Sequence, residues 1–253
     1  MDILMTQPQY GSTAWYMERA FKELGHKIVR GGTPGVIVGI DGTEPPKSIE
    51  GVPYIYWDTD SFLHEPVVMG DHLFIGGCPE DLKKYPEGTI FLPHAADPEL
   101  HRPMYVEKEY DIVMVGSTDD RYGERNRLLE LLKSKYRVHV AKTRPGLPYS
   151  QELSKGKIIF NRSMTDMNIP MRFFEGMAIG CLLTNYSKNL DILATRGVHY
   201  WGYENDSEMF TLIDKLLDGD IGDIILDQNS YRRAHVLHNH TYKHRALTLL
   251  SVL

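Results

Sequence analysis

Short apolar, β-branched runs alternate along this chain with stretches whose apolar positions recur at helical spacing, the pattern of βαβ units feeding a parallel sheet. In the first hundred residues the runs predict strands at 2–5, 27–30, 36–40, 53–57, 72–75 and 89–92. A helix is expected over 12–24, with Ser12 or Thr13 as N-cap and Gly25 as its stop. The pattern then breaks between Pro93 and Pro103, where three prolines exclude a continuous helix or an interior strand. Beyond this break, strands are expected at 110–115, 137–141, 157–160 and 181–184, and helices at 126–134, 171–179, 207–217 and 229–252. Two α/β units follow, residues 1–96 and 109–253, joined by a linker at 97–108, with the last helix expected to reach back onto the first unit.

Composition leaves this picture intact. Hydrophobic residues make up 42% and charged residues 25%, ordinary values for a globular chain and far from the disordered corner. The first residues carry no basic region and no long apolar run, so they read as a buried strand and not as a signal peptide. No stretch approaches the length of a membrane span, and Cys78 and Cys181 have no CxxC spacing; a cytoplasmic protein is expected. The net charge of -6 is uneven: residues 1–108 hold 9 Lys+Arg against 16 Asp+Glu, whereas residues 109–253 hold 19 against 18. A polyanionic ligand would meet less repulsion on the second half.

Two segments of that half carry candidate chemistry. Asp111 to Asn126 runs from an apolar strand through the small-residue turn Gly116-Ser117 into a charged helix start. Backbone N–H groups at such a turn favour an anion, and Arg121 or Arg125 adds bidentate phosphate contacts; an ordinary βα turn with a solvated charged surface is the alternative. In the second segment, Pro170 is expected in the first turn of a helix on which Arg172 and Glu175 share a face. An intrahelical ion pair is the plain reading of those two, and Gly180 then closes the helix.

The run Asn-Ile-Pro-Met-Arg-Phe-Phe-Glu-Gly-Met-Ala-Ile-Gly-Cys-Leu-Leu-Thr-Asn at 168–185 resembles the R-x-F-E-x-x-A-x-G-x-L-L-T core of the CgeB/YkvP-like glycosyltransferases, a spore-protein-associated group. The stretches 92–103, 110–117 and 240–245 agree with the same group in the same order, and the resemblance spans roughly residues 54–250. It implies a GT-B fold, two Rossmann-like domains facing across a cleft, with a nucleoside diphosphate sugar such as a UDP-sugar held by the C-terminal one. Glu175 would accept hydrogen bonds from the donor ribose. Arg172 and the Gly116-Ser117 turn, with Arg121 or Arg125, would hold the diphosphate, and Asn161 would lie near the base. Met167 stands where the first glutamate of the common E-x7-E arrangement would fall.

On the N-terminal side, Gly11-Ser12 follows the first strand and is a second donor contact or a structural cap. His94, at the mouth of the linker, is a candidate base, and Asp58 a candidate acceptor-side or catalytic carboxylate. Asp58-Thr-Asp60 also imitates a metal-binding DxD, and His235, His238, His240 and His244 imitate a zinc set without a cysteine to complete it; no metal and no cofactor beyond the nucleotide-sugar co-substrate is expected. The acceptor is open among a glycan, a protein, a small molecule and a modified DNA base, the last suggested by Arg232, Arg233, Lys243 and Arg245. A nucleotide-sugar-binding protein or subunit without transfer activity is the alternative to an enzyme.

Overall fold

The continuous apolar run Val36–Ile40 and the run Tyr54–Asp58 are buried at every position, as strands covered on both faces of a parallel sheet must be. The computed structural model describes residues 1–41, 45–218 and 228–253. They form two compact units, Met1–Ala95 with His240–Leu253, and Ala96–Asn239. The prolines of 93–103 therefore straddle a boundary, and residues 96–108 belong to the second unit.

The first unit holds β1 (Asp2–Met5), α1 (Thr13–Glu23), β2 (Lys27–Val29), β3 (Val36–Ile40), β4 (Tyr54–Asp58), β5 (His72–Ile75) and β6 (Ile90–Phe91). Its strands pair in the order β2-β1-β3-β4-β5-β6, all parallel. Ser12 caps α1, its side chain accepting from the Trp15 N–H. The second unit holds β7 (Tyr110–Val115), α2 (Gly123–Lys133), β8 (Val138–Ala141), α3 (Leu147–Ser154), β9 (Gly156–Asn161), α4 (Met171–Ile179), β10 (Cys181–Asn185), β11 (Trp201–Tyr203), α5 (Asp206–Leu217) and α6 (Asn229–Asn239). Its order is β11-β10-β9-β7-β8, again all parallel. α3 and β11 carried no sequence signal strong enough to predict them.

The single helix expected at 229–252 is two. The chain breaks at His240, and α7 (Tyr242–Leu250) starts afresh with Thr241 as N-cap and His244 completing a capping box. The reason is local, since a threonine that bonds a backbone N–H three residues ahead favours an extended conformation at its own position. α7 packs on α1, where Tyr16 and Tyr242 stack at 4.9 Å. The buried Arg245 ties this helix down: its Nε donates to the Pro93 carbonyl at 2.7 Å and Nη2 to the His94 carbonyl at 2.9 Å. Burial pulls its pKa to about 10, leaving it charged at neutral pH.

The adjacent strands β3 and β4 lead into paired carboxylates. Asp41 follows β3 and accepts the Thr59 N–H at 2.7 Å. Asp58 ends β4, fully buried, with Oδ2 taking the Tyr85 hydroxyl at 2.5 Å. Its Oδ1 makes no hydrogen bond; it faces His64 Nε2 at 3.4 Å, an ion-pair distance without hydrogen-bond geometry. Burial pushes both carboxyls up, Asp41 to about 8, where Asp60 and Asp58 add their charge.

Arg245→Met should lower stability by about 2–3 kcal/mol, because charge-assisted bonds are lost and buried carbonyls stranded; a shifted urea midpoint reads this out, and an unchanged one refutes the clamp. Asp41 gives a pH signature. Its folded pKa of about 8 lies above the ordinary 3.8, so across that window the native chain binds more protons than the unfolded one and stability falls as pH rises. Asp41→Asn should flatten this decline and be the more stable protein at pH 8, measured by urea denaturation at pH 5, 6.5 and 8. A variant as steep as the parent would contradict it.

Candidate functional site

In the second sheet β7 lies between β8 and β9, and the connection leaving β7 runs to β8 on one side while that leaving β9 runs to β10 on the other. That divergence is the topological switch point, where open parallel sheets receive ligands. Gly116 follows β7, and Asn161 ends β9; the sequence candidates of the second half gather around this point. Gly116 has φ of 152° and packs against Arg172 so closely that an added β-carbon would sit 3.1 Å from the guanidinium Cζ. Only glycine admits both that backbone and that approach.

Arg172 is the second residue of α4, which Pro170 precedes in extended conformation as N-cap, one position earlier than expected. Its Nη1 donates to Asn161 Oδ1 at 3.2 Å, and Asn161 Nδ2 donates to the Thr184 hydroxyl at 2.9 Å. Nε of Arg172 is buried and makes no hydrogen bond, a cost that an anionic acceptor would remove. Arg125 lies nearby, and burial, reinforced by the positive charge of Arg172, brings its pKa down to about 10. Tyr149 and the Glu175 carboxylate hold Arg172 charged against its burial.

The arginines differ in availability. Arg125 is buried, stacks over Tyr122 with its Cζ 4.0 Å from the ring centroid, and donates to the carbonyls of Ser117 at 3.0 Å and Arg162 at 2.6 Å. It staples the loop after β7 to the loop after β9. Arg121 is 73% exposed and folded onto Asp119 in a two-pronged pair at 3.1 and 3.0 Å. That pair holds the Asp119 carboxyl well below the usual range. Ser117 Oγ donates to the same Asp119 at 2.7 Å. Glu175 is buried, one turn beyond Arg172; its Oε2 accepts from the Tyr149 hydroxyl at 2.8 Å, and its Oε1 lies 3.3 Å from His101 Nε2. Burial, then the Glu175 charge, raises the Tyr149 phenol, which stays a donor. Sequence reasoning passed over Tyr149 and His101. Tyr149 lay in a helix that was not foreseen and His101 in a supposed linker, and proximity to Glu175 is the signal that finds them.

In the first unit Gly11, at φ 79°, and Ser12 form the turn after β1, and the neighbouring Thr13 hydroxyl lies 3.3 Å from His94 Nδ1. His94 is buried beside Trp57. Asp58 is separate from this group, enclosed by Tyr85 and His64. Among the described residues no cluster of three His, Cys, Asp or Glu could hold a metal ion, and the histidines of the C-terminal region are otherwise engaged: His244 caps α7, and His240 accepts from Arg245 at 3.1 Å. No described helix is long and apolar enough to cross a membrane.

Comparison with known proteins agrees with this architecture. The chain is similar in fold to an α-glucosyltransferase solved with UDP and a 13-mer DNA containing an HMU base, at TM-score 0.65 and 10% identity over 98% of this chain and 97% of that one. It is also similar to Anabaena Alr3699/HepE solved with UDP-glucose, at TM-score 0.62 and 11% identity over the whole of both chains. T4 phage BGT with its UDP-glucose substrate matches at TM-score 0.61 and 11% identity, over 99% of this chain and 97% of that one. No curated protein matches the sequence. Residues 98–251, more than half of the chain, match the family described as glycosyl transferase-like. With two parallel α/β units of the GT-B kind and this family signature, the chain belongs to the glycosyl transferase-like family and is a glycosyltransferase.

Proposed function

We propose that the second unit binds a nucleoside diphosphate sugar, a UDP-sugar in the first instance, at the switch point between β7 and β9, and that the chain is of the CgeB/YkvP type and works in the cytoplasm without metal. The observation that carries the reading is the meeting of Gly116, Arg172 and Asn161 at the carboxyl ends of two strands, one helical turn from Glu175. Arg172 and the turn at Gly116-Ser117 receive the diphosphate, Glu175 receives the ribose hydroxyls as an acceptor-only carboxylate, and Asn161 orients Arg172. Arg125 supports the turn and adds charge, while Arg121 is left at the rim. Three fold neighbours solved with UDP or UDP-glucose favour uridine as the first nucleotide to try.

In the reaction an acceptor hydroxyl attacks the anomeric carbon, the bond from that carbon to the diphosphate oxygen breaks, and the diphosphate leaves with the bonding pair. Arginine charge and turn N–H groups stabilise that leaving group. His94, beside Thr13 in the first unit, is the proposed base for the acceptor proton, with Asp58 the alternative carboxylate. The acceptor is narrowed by what the arginines already do. Arg232 is fully buried, Arg233 donates to the carbonyls of Pro98, His101 and Ala178, and Arg245 is the clamp on α7. Of the four basic residues that suggested a DNA surface, three are spent inside the protein.

A UDP-sugar panel should identify a donor that is hydrolysed or transferred. Arg172→Ala should then lower kcat by about 10²–10³-fold, as loss of a leaving-group donor does, and Glu175→Gln should raise the donor KM by about 10–100-fold through the loss of charged hydrogen bonds. Turnover like wild type in both variants rejects the site. Turnover should persist in EDTA, and its abolition with recovery on adding Mg2+ or Mn2+ would overturn metal independence.

A further inference from the structure

Glu175 has both carboxylate oxygens engaged by side chains from outside its own helix. Tyr149 Oη donates to Oε2 at 2.8 Å, and His101 Nε2 stands 3.3 Å from Oε1. Relative exposures of 0% for His101, 6% for Glu175 and 9% for Tyr149 place all three out of solvent. The tautomer of His101 follows from its other nitrogen. Nδ1 lies 3.0 Å from the backbone N–H of Asp97, which only donates, so Nδ1 carries the lone pair and the proton sits on Nε2, aimed at Glu175.

His101 is held in turn. The Asp97 carboxylate accepts the N–H groups of Glu99 at 3.0 Å and Leu100 at 3.2 Å, closing a tight turn. Ser150 Oγ, on the same helix as Tyr149, donates to the Leu100 carbonyl at 2.6 Å. Arg233 Nη1 bridges the carbonyls of His101 at 2.7 Å and Ala178 at 3.1 Å, joining the turn to the helix that bears Glu175. All of these groups belong to one unit.

We propose that His101 and Tyr149 are positioning residues for Glu175, fixing the rotamer that offers one remaining lone pair on each oxygen to the vicinal hydroxyls of a nucleotide ribose. The inference rests on the reading of Glu175 as the ribose acceptor and adds the device that aims it. A carboxylate has about four acceptor sites; two are consumed by the donors from α3 and the 97–101 turn, which leaves a matched pair, one per oxygen, for a diol. Without those donors the carboxylate is free to turn toward Arg172, one helical turn away. The segment that the prolines marked as a linker therefore supplies part of the binding machinery.

The test measures Kd by calorimetry for UDP and for 2′,3′-dideoxy-UDP, with the corresponding GDP pair alongside, on the full chain. Wild type should prefer the ribose form. Tyr149→Phe should reduce that preference by about tenfold while leaving the dideoxy affinity in place, the loss expected for one hydrogen bond to a charged group. His101→Asn keeps an acceptor for the Asp97 N–H but falls short of Glu175, and should behave like Tyr149→Phe; His101→Gln carries an amide N–H near the Nε2 position and should restore the preference. Equal weakening of both ligands, or an undiminished preference in Tyr149→Phe and His101→Asn, overturns the positioning role, and Tyr149→Phe decides alone if the His101 variants fail to fold. A wild-type chain that treats ribose and dideoxy forms alike, or binds neither pair, removes the reading of Glu175 and this proposal with it.

Discussion

The packing of the Arg172 guanidinium against a residue without a β-carbon is the constraint around which the second unit's site is arranged. Gly116 must be where β7 ends for Arg172 to approach, and Arg172 must be in the first turn of α4 to reach Asn161 at the end of β9. Glu175 is then placed by helical geometry, one turn further along the same helix. Three elements distant in sequence thus meet at one place.

Electrostatics sets the two buried arginines of this arrangement apart from those at the surface. Burial, and then the charge of Arg172, disfavour the charge on Arg125. Arg172 is held charged against its burial by Tyr149 and Glu175, whereas Arg121 pairs with Asp119, and Arg127 with Glu124 and Asp206, at the surface. The first unit shows the opposite sign of the same effect, with Asp41 and Asp58 both raised at neighbouring strand ends.

Arginine has two distinct uses in this chain. Arg125, Arg233 and Arg245 donate mainly to backbone carbonyls, and Arg232 to the Val198 carbonyl and the Asn229 side chain, fastening loops or helices in place. The planar fork of five donors suits that task, since one side chain can satisfy several carbonyls from separate segments. A count of basic residues therefore overstates what is offered to a polyanion, and the near-neutral charge of the second half conceals which cations face inward.

The sequence by itself determined most of the elements and many of their limits, though not α3, β11 or the break before α7. Buried parallel strands need unbroken apolar, β-branched runs, and helices need their caps; Ser12, the run at 36–40 and the helix at 171–179 are local facts about neighbouring residues. The same locality let one motif and one turn single out Gly116, Arg172 and Glu175 as candidates. It failed where pairing is non-local. Nothing near position 101 or 149 announces a carboxylate 74 or 26 residues away, and nothing local separates Arg121 from Arg125, though one lies on the surface and the other is buried in a staple between loops. Even the break at His240, signalled only by a threonine, marks the passage of the chain from one unit to the other. Strand order was decided by tertiary structure alone, because the period of a strand fixes which faces are apolar and says nothing of which strand lies beside it; and strand order is what brings the ends of β7 and β9 together.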